Sequence, residues 1–179
     1  MATEMGNALV DITDRFRTYR ALAESALDQA DDAAFFATLD DEANSLATLV
    51  KHLAGNYRSR WTDFLTTDGD MPDRHRDTEF ELDGADTREA LMNRWAESWQ
   101  LLEETLADLA ADDLARTVTI RAQPLTVQQA LLRALTHTAY HVGQIVLLAK
   151  HHAGTDWASL SIPRGQSEQF AAEHRRRYA

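Results

Sequence analysis

Four long stretches of this 179-residue chain repeat apolar residues at three- and four-residue steps, and only three prolines are present to interrupt them. That pattern restricts the fold to helices that each bury one apolar face. The first stretch covers about residues 6–30, with Leu9, Ile12, Phe16, Tyr19, Ala23 and Ala26 on its stripe. The second covers about 41–66 and carries Leu46, Leu49, Val50, Leu53, Tyr57, Trp61 and Phe64. A third starts at Asp86, where Asp86-Thr87-Arg88-Glu89 reads as a capping box, and runs through Leu91, Trp95, Trp99 and Leu102 to about residue 110. The fourth starts at Thr126, again with a capping-box pattern to Gln129, and runs through Leu131, Ala134, Thr138, Val142, Ile145 and Leu148 to about His152. Between these two, Thr117–Ile120 alternates and reads as at most a short strand or extended linker. A short helical stretch follows Pro163, from Gln166 to about Arg177. The expectation is all-α: a four-helix bundle in one domain over residues 1–179, with a C-terminal appendage at about 155–179.

The connection between the second and third helices, about residues 66–86, is longer than bundle loops usually run. Nine acids fall between Asp63 and Asp86, together with Arg74 and Arg76. This mixture predicts an ordered crossover, braced by ion pairs, over the end of the bundle. Arg58, Arg60, Arg74, Arg76 and Arg164 either pair with acids such as Asp63, Asp68, Asp77 and Glu79, or line a pocket mouth and hold a carboxylate-bearing ligand.

Polar residues interrupt two of the apolar stripes. His137 and His141 stand four apart on the fourth helix, on the face that carries Ala134, Thr138 and Ile145. His52 sits at the stripe edge of the second helix between Leu49 and Leu53. Imidazoles turned inward need partners, either hydrogen-bonding groups or one shared metal ion. The chain has no cysteine, so a strongly bound metal has only His, Asp and Glu to choose from. Zincin proteases carry Glu directly after the first His of such a pair, whereas Thr138 stands there here. Asn56 and Gln144, each one turn beyond a histidine, are candidates to orient the rings. Tyr140 and Asp63 are the candidate bases.

The stretch His137–Ile145 (HTAYHVGQI) resembles the final-helix signature of the DinB/YfiT-like superfamily, and Leu49–Asn56 (LVKHLAGN) resembles its second-helix motif. Residues 56–69, 74–79 and 160–167 are similar to one branch of that superfamily whose function is unknown. The resemblance implies a bundle in up-down-down-up order, with the long crossover between helices 2 and 3. It also implies a divalent metal on His52, His137 and His141, with Zn or Ni the usual expectation. Imidazole suits Fe, Co and Mn as well. Relatives in the superfamily include enzymes that transfer low-molecular-weight thiols to electrophiles, a thiol-dependent isomerase and metal hydrolases. By that analogy the chain is a metal-dependent thiol S-transferase or hydrolase acting on a small-molecule substrate. With no cysteine of its own, it would take the thiol from outside. The competing reading is a non-catalytic, metal-stabilised dimer that serves in stress response or binds a small ligand.

Net charge is −11, from 29 acids against 18 bases, which argues against nucleic acid or an anionic membrane as partner. No signal peptide is legible at residues 1–10, and clean apolar runs such as Ile145–Ala149 are far too short to span a bilayer. A soluble, cytoplasmic homodimer is the expectation.

Overall fold

A computed structural model describes residues 2–178. They are mostly helical, with six α-helices and one two-stranded sheet. In chain order the elements are α1 (Ala2–Leu27), α2 (Asp32–Phe36), α3 (Leu46–Trp61), α4 (Arg88–Asp108), β1 (Thr117–Ile120), β2 (Gln123–Thr126), α5 (Val127–Ala153) and α6 (Ser167–Tyr178). Three short 3₁₀ turns lie between them, at Arg76–Phe80, Ala111–Ala115 and Gly154–Asp156. Helix α1 packs on α5 and α3 packs on α4, while α3 also crosses α5. One buried apolar cluster draws on all four long helices.

The stripes read from the sequence are the buried faces. Phe16, Tyr57, Trp61, Trp95 and Trp99 are each about 1% exposed and interlock mostly edge to face, with ring centroids 4.9–6.2 Å apart. Arg88, at the start of α4, reaches back to the end of α1, where its guanidinium donates to the carbonyls of Leu27 and Ala30. The Leu27 carbonyl, the last of α1, also takes the Ala30 amide, so Arg88 ties the start of α4 to the turn that follows α1.

Several helix ends differ from the expectation, each for a local reason. Helix α1 stops at Leu27, and α2 begins again on the Asp31 cap with Phe35 buried. Helix α3 starts at Leu46 because the Ser45 hydroxyl accepts from the Thr48 amide. It ends at Trp61 because Asp63 adopts φ 48 and its carbonyl takes the amides of Thr66 and Thr67. The cap of α4 is Thr87, whose side chain accepts from Ala90 N, and not Asp86. Asp86 is buried instead, between Lys51 Nζ at 2.7 Å and Arg94 at 2.9 Å. The Thr126–Gln129 capping box of α5 forms as read.

The fold is also not purely helical. Thr117–Ile120 is a strand, paired antiparallel with β2 in the register Thr117↔Thr126 to Ile120↔Gln123. The two residues between them, Arg121 and Ala122, both have positive φ, 54° and 58°, as a type I′ hairpin turn requires. Neither residue type favours that conformation. Asp68 compensates by accepting both amides, from Arg121 at 2.8 Å and Ala122 at 2.7 Å. These backbone hydrogen bonds hold the Asp68 carboxyl below the usual carboxylate range, led by the one from Ala122. The start of the crossover is thereby fastened to the hairpin, and Asp68 bridges Thr119 as well.

Candidate metal centre

Helices α3 and α5 bring the three histidines to one point. Just below them, the Tyr57 hydroxyl on α3 meets the Thr138 hydroxyl on α5 and sets the register of the two helices. Burial pushes the Tyr57 phenol well above its ordinary pKa, so it acts there as a neutral hydrogen-bonding group. His137 Nε2 lies 3.3 Å from His52 Nε2 and 3.2 Å from His141 Nε2. A tetrahedral ion with metal–nitrogen bonds of about 2.0–2.1 Å holds its ligand atoms about 3.3 Å apart. One ligand atom from each ring falls within 4.8 Å of the other two, so the trio could hold a metal ion.

The far side of two rings is tied off. His52 Nδ1 faces Glu79 Oε2 at 2.8 Å, and His141 Nδ1 faces Gln144 Oε1 at 3.0 Å. Both acceptors are oxygens, so each ring donates its Nδ1 proton, and in the neutral ring Nε2 is left with a lone pair. Two bare nitrogens then point at His137 Nε2, and a single N–H there could satisfy only one of them well. A cation at the shared point satisfies all three, and this donor set of neutral imidazoles fits a divalent ion. Burial is the main reason that His137 is held down to about 3, with the neighbouring His141 and His52 and the nearby Arg74 and Arg60 adding to it. Burial lowers His141 too, against the pull of Gln144. Both rings are therefore uncharged at neutral pH, the form in which an imidazole can ligate a metal.

Glu79 comes from the crossover, on the 3₁₀ turn Arg76–Phe80. Its burial would raise the carboxyl, but hydrogen bonds from Arg74 and His52 outweigh this and keep it ionised. Arg74 grips it with two hydrogen bonds, Nε to Oε1 at 2.8 Å and Nη2 to Oε2 at 2.9 Å. Gly55 on α3 leaves room for this carboxylate, since a Cβ there would collide with Glu79 Oε1. Phe80, the next residue, stacks on His52 with ring centroids 4.7 Å apart.

A cavity of about 210 Å³ opens beside His52 and His137. Arg60 and Arg74 line it from below, both with buried side chains, and Arg76, Arg121 and Arg133 stand exposed around it. Asn56 is part of the same wall. Arg60 is 8% exposed, and its Nη1 has no hydrogen-bond partner among the described residues. Burial, followed by the charges of Arg133 and Arg74, lowers it to about 10. Gly69 leaves space for this guanidinium, because a Cβ there would come within 2.8 Å of Nη1.

Of the residues singled out in the sequence, His52, His137, His141 and Gln144 meet at the cluster, while Arg60, Arg74, Arg76 and Asn56 reach the adjoining cavity. Arg58 pairs with Asp73, and both lie on the surface. Arg164 is exposed and lies outside the cavity. Asp63 borders a different hollow, with Phe64 and Leu109. Tyr140 packs its ring 4.9 Å from that of His141 but is 65% exposed. Glu79 is an arginine partner, as the crossover's mixture of charges predicts, and pairs with Arg74, but its contact with His52 has no counterpart in the sequence reading, nor do Arg121 and Arg133 at the cavity. Arg133 was within reach, since it stands four residues before His137 on the same helix face. For Glu79, one of nine acids in an aperiodic segment, the sequence holds no distinguishing signal.

A family model described as "Protein of unknown function (DUF1572)" matches residues 4–166, and the chain belongs to that family. No curated protein matches it.

Proposed function

We propose that this DUF1572 chain is a metal-dependent enzyme of the DinB/YfiT-like type, with a divalent ion on His52, His137 and His141. The observation that carries this reading is the convergence of three imidazole Nε2 atoms, two of them with their Nδ1 protons committed to Glu79 and Gln144. Zn and Ni suit the set best, and Fe, Co and Mn remain compatible with it. The four long helices form the superfamily's up-down-down-up bundle, with residues 66–86 as its crossover. A bound ion of this kind lowers the pKa of a coordinated water or thiol and makes it nucleophilic near neutral pH.

The chain's own residues do the rest. Glu79 fixes the tautomer and orientation of His52, and Arg74 keeps Glu79 ionised for that task. Gln144 does the same for His141. The cavity beside His52 and His137 gives a small substrate access from one side.

A second reading, a non-catalytic metal-stabilised dimer, has one observation in its favour. Among the described residues, no carboxylate lines the cavity to act as a base. Tyr140 and Leu147, 65% and 63% exposed and seven residues apart on α5, would give that dimer an apolar face.

Metal content and melting temperature of untagged protein test the centre. The expected result is near-stoichiometric divalent metal, and a midpoint that rises when Zn or Ni is returned to chelator-treated protein. Protein that carries no metal and shows no shift with either ion ends this reading. Metal-dependent consumption of a low-molecular-weight thiol with an electrophile then separates the enzyme from the dimer, which would consume none.

A further inference from the structure

The metal reading accounts for the histidines but leaves the arginines beside them unexplained. Five arginines line one small cavity of a protein whose net charge is −11, so the excess there runs against the rest of the molecule. The acids in contact with them are few and already engaged. Glu79 is spent on Arg74 and His52, Asp70 is shared between Arg74 at 3.7 Å and Arg121 at 3.0 Å, and Arg76 has the exposed Asp77 at 3.9 Å. Among the described residues, neither Arg60 nor Arg133 has a carboxylate within ion-pair distance; Asp70 acts on Arg60 only from further off, and Arg60 Nη1 is buried with no acceptor.

A guanidinium cannot escape burial by losing its proton at neutral pH, so an unpaired one is a large and persistent cost. A purely structural role would be filled as well by an uncharged side chain of similar length packed beneath Gly69. The cost is offset if an anion enters the cavity and supplies the missing counter-charge. We infer that this cavity is an anion site that takes the carboxylate or phosphate group of a small molecule on Arg60 and Arg133, with Arg121 and Arg76 at its rim. At about 210 Å³ it lies below the roughly 300–1,000 Å³ usual for larger organic ligands, so the occupant is a compact acid. Against a net charge of −11, this cluster of arginines draws such an anion in. His137 stands one helical turn from Arg133 and lines the same cavity, so an acid held here presents its remaining atoms to the histidines. The substrate of the centre is accordingly an acid; this last step rests on the metal reading, whereas the anion site itself does not.

The test uses the full chain after chelator treatment, titrated with inorganic phosphate and, separately, with malonate, at ionic strength held constant with potassium chloride. Either probe is expected to raise the melting midpoint saturably, and the stronger one shows whether phosphate or carboxylate is preferred. Arg60→Met should weaken that binding at least tenfold while raising the midpoint of the anion-free protein, because an uncompensated charge has left the interior. Arg133→Gln, at the exposed rim, should weaken binding severalfold and decides the matter if Arg60→Met does not fold. Arg58→Met, which removes a surface arginine outside the cavity, should change nothing. The inference fails if neither probe does more than chloride, or if Arg133→Gln binds both probes as the wild type does. Zn uptake without anion binding removes this inference alone. Anion binding without metal uptake removes the metal reading and leaves the anion site standing.

Discussion

The histidine cluster and the arginine cavity lie side by side, share His52 and His137, and solve the same problem in opposite ways. Both are polar groups drawn into the end of an apolar core. His137, held down to about 3, and His141, also lowered, meet the cost of burial by staying uncharged. The guanidinium of Arg60 reaches only about 10 under similar pressure, so it keeps its charge at neutral pH and still lacks a partner. The lone pairs of the first cluster could hold a cation, and the charge of the second is what the proposed anion would balance. Each rests on a glycine that leaves space behind it, Gly55 for Glu79 and Gly69 for Arg60. Adjacent sites of opposite demand are what the proposed pairing of a metal with an acid requires.

The sharpest way to break this comparison is to remove a ligand. His137→Ala should abolish the rise in melting point that Zn produces in the wild type, a rise of about 5–10 °C at a hundredfold excess over Kd for a chain of this size. A shift that survives in His137→Ala would mean that the metal binds elsewhere. The support shell should matter next. Glu79→Gln, and Gly55→Ala through displacement of the same carboxylate, should each weaken metal affinity about 10- to 100-fold without abolishing it. Calorimetric titration with Zn reads this directly, and equal affinities in both variants and wild type would show that Glu79 serves Arg74 alone.

Acidification separates the two clusters further. The folded pKa of His137 is depressed, while the unfolded ring titrates near 6.5, so between about pH 6.5 and 3 the unfolded chain binds more protons than the folded one. Metal-free protein should therefore lose stability as pH falls below about 6.5, and His137→Ala should flatten that slope. Denaturant midpoints measured at pH 7.5, 6 and 5 check it, and parallel profiles for the two proteins would contradict the assignment. The smallest effect concerns the hairpin that walls the cavity. Ala122→Gly relieves a left-handed residue and should raise stability by about 1 kcal/mol, read from urea unfolding. No gain would mean that Asp68 already compensates the turn in full.

What was legible in the sequence follows from periodicity. His137 and His141 could be placed on one face of α5 because a helix repeats every 3.6 residues, and the apolar stripes named the core for the same reason. The crossover's bracing could be anticipated from its mixture of acids and arginines, and Glu79 and Asp77 do pair with Arg74 and Arg76, but the contact of Glu79 with His52 could not. Nothing local distinguishes Glu79 from Asp77 or Glu81, and only the fold of the 3₁₀ turn carries Glu79 to His52. The hairpin escaped notice because Arg121-Ala122 is not a turn signal. What allows its two positive φ angles is Asp68, more than fifty residues earlier in the chain. Likewise the Asp86 cap failed because Lys51, on another helix, claimed the carboxylate that a local reading assigned to α4.

The sequence by itself determined which faces are apolar, which helices carry histidine, and that no thiolate competes for a metal, since all three depend on residue type and spacing within one segment. Only the tertiary structure decided that His52 closes on His137 across two helices, that Glu79 meets it, and that Arg60 is buried with no carboxylate in contact among the described residues. Those facts join residues distant in the chain, and their energies come from distance and desolvation, which spacing along a sequence does not encode.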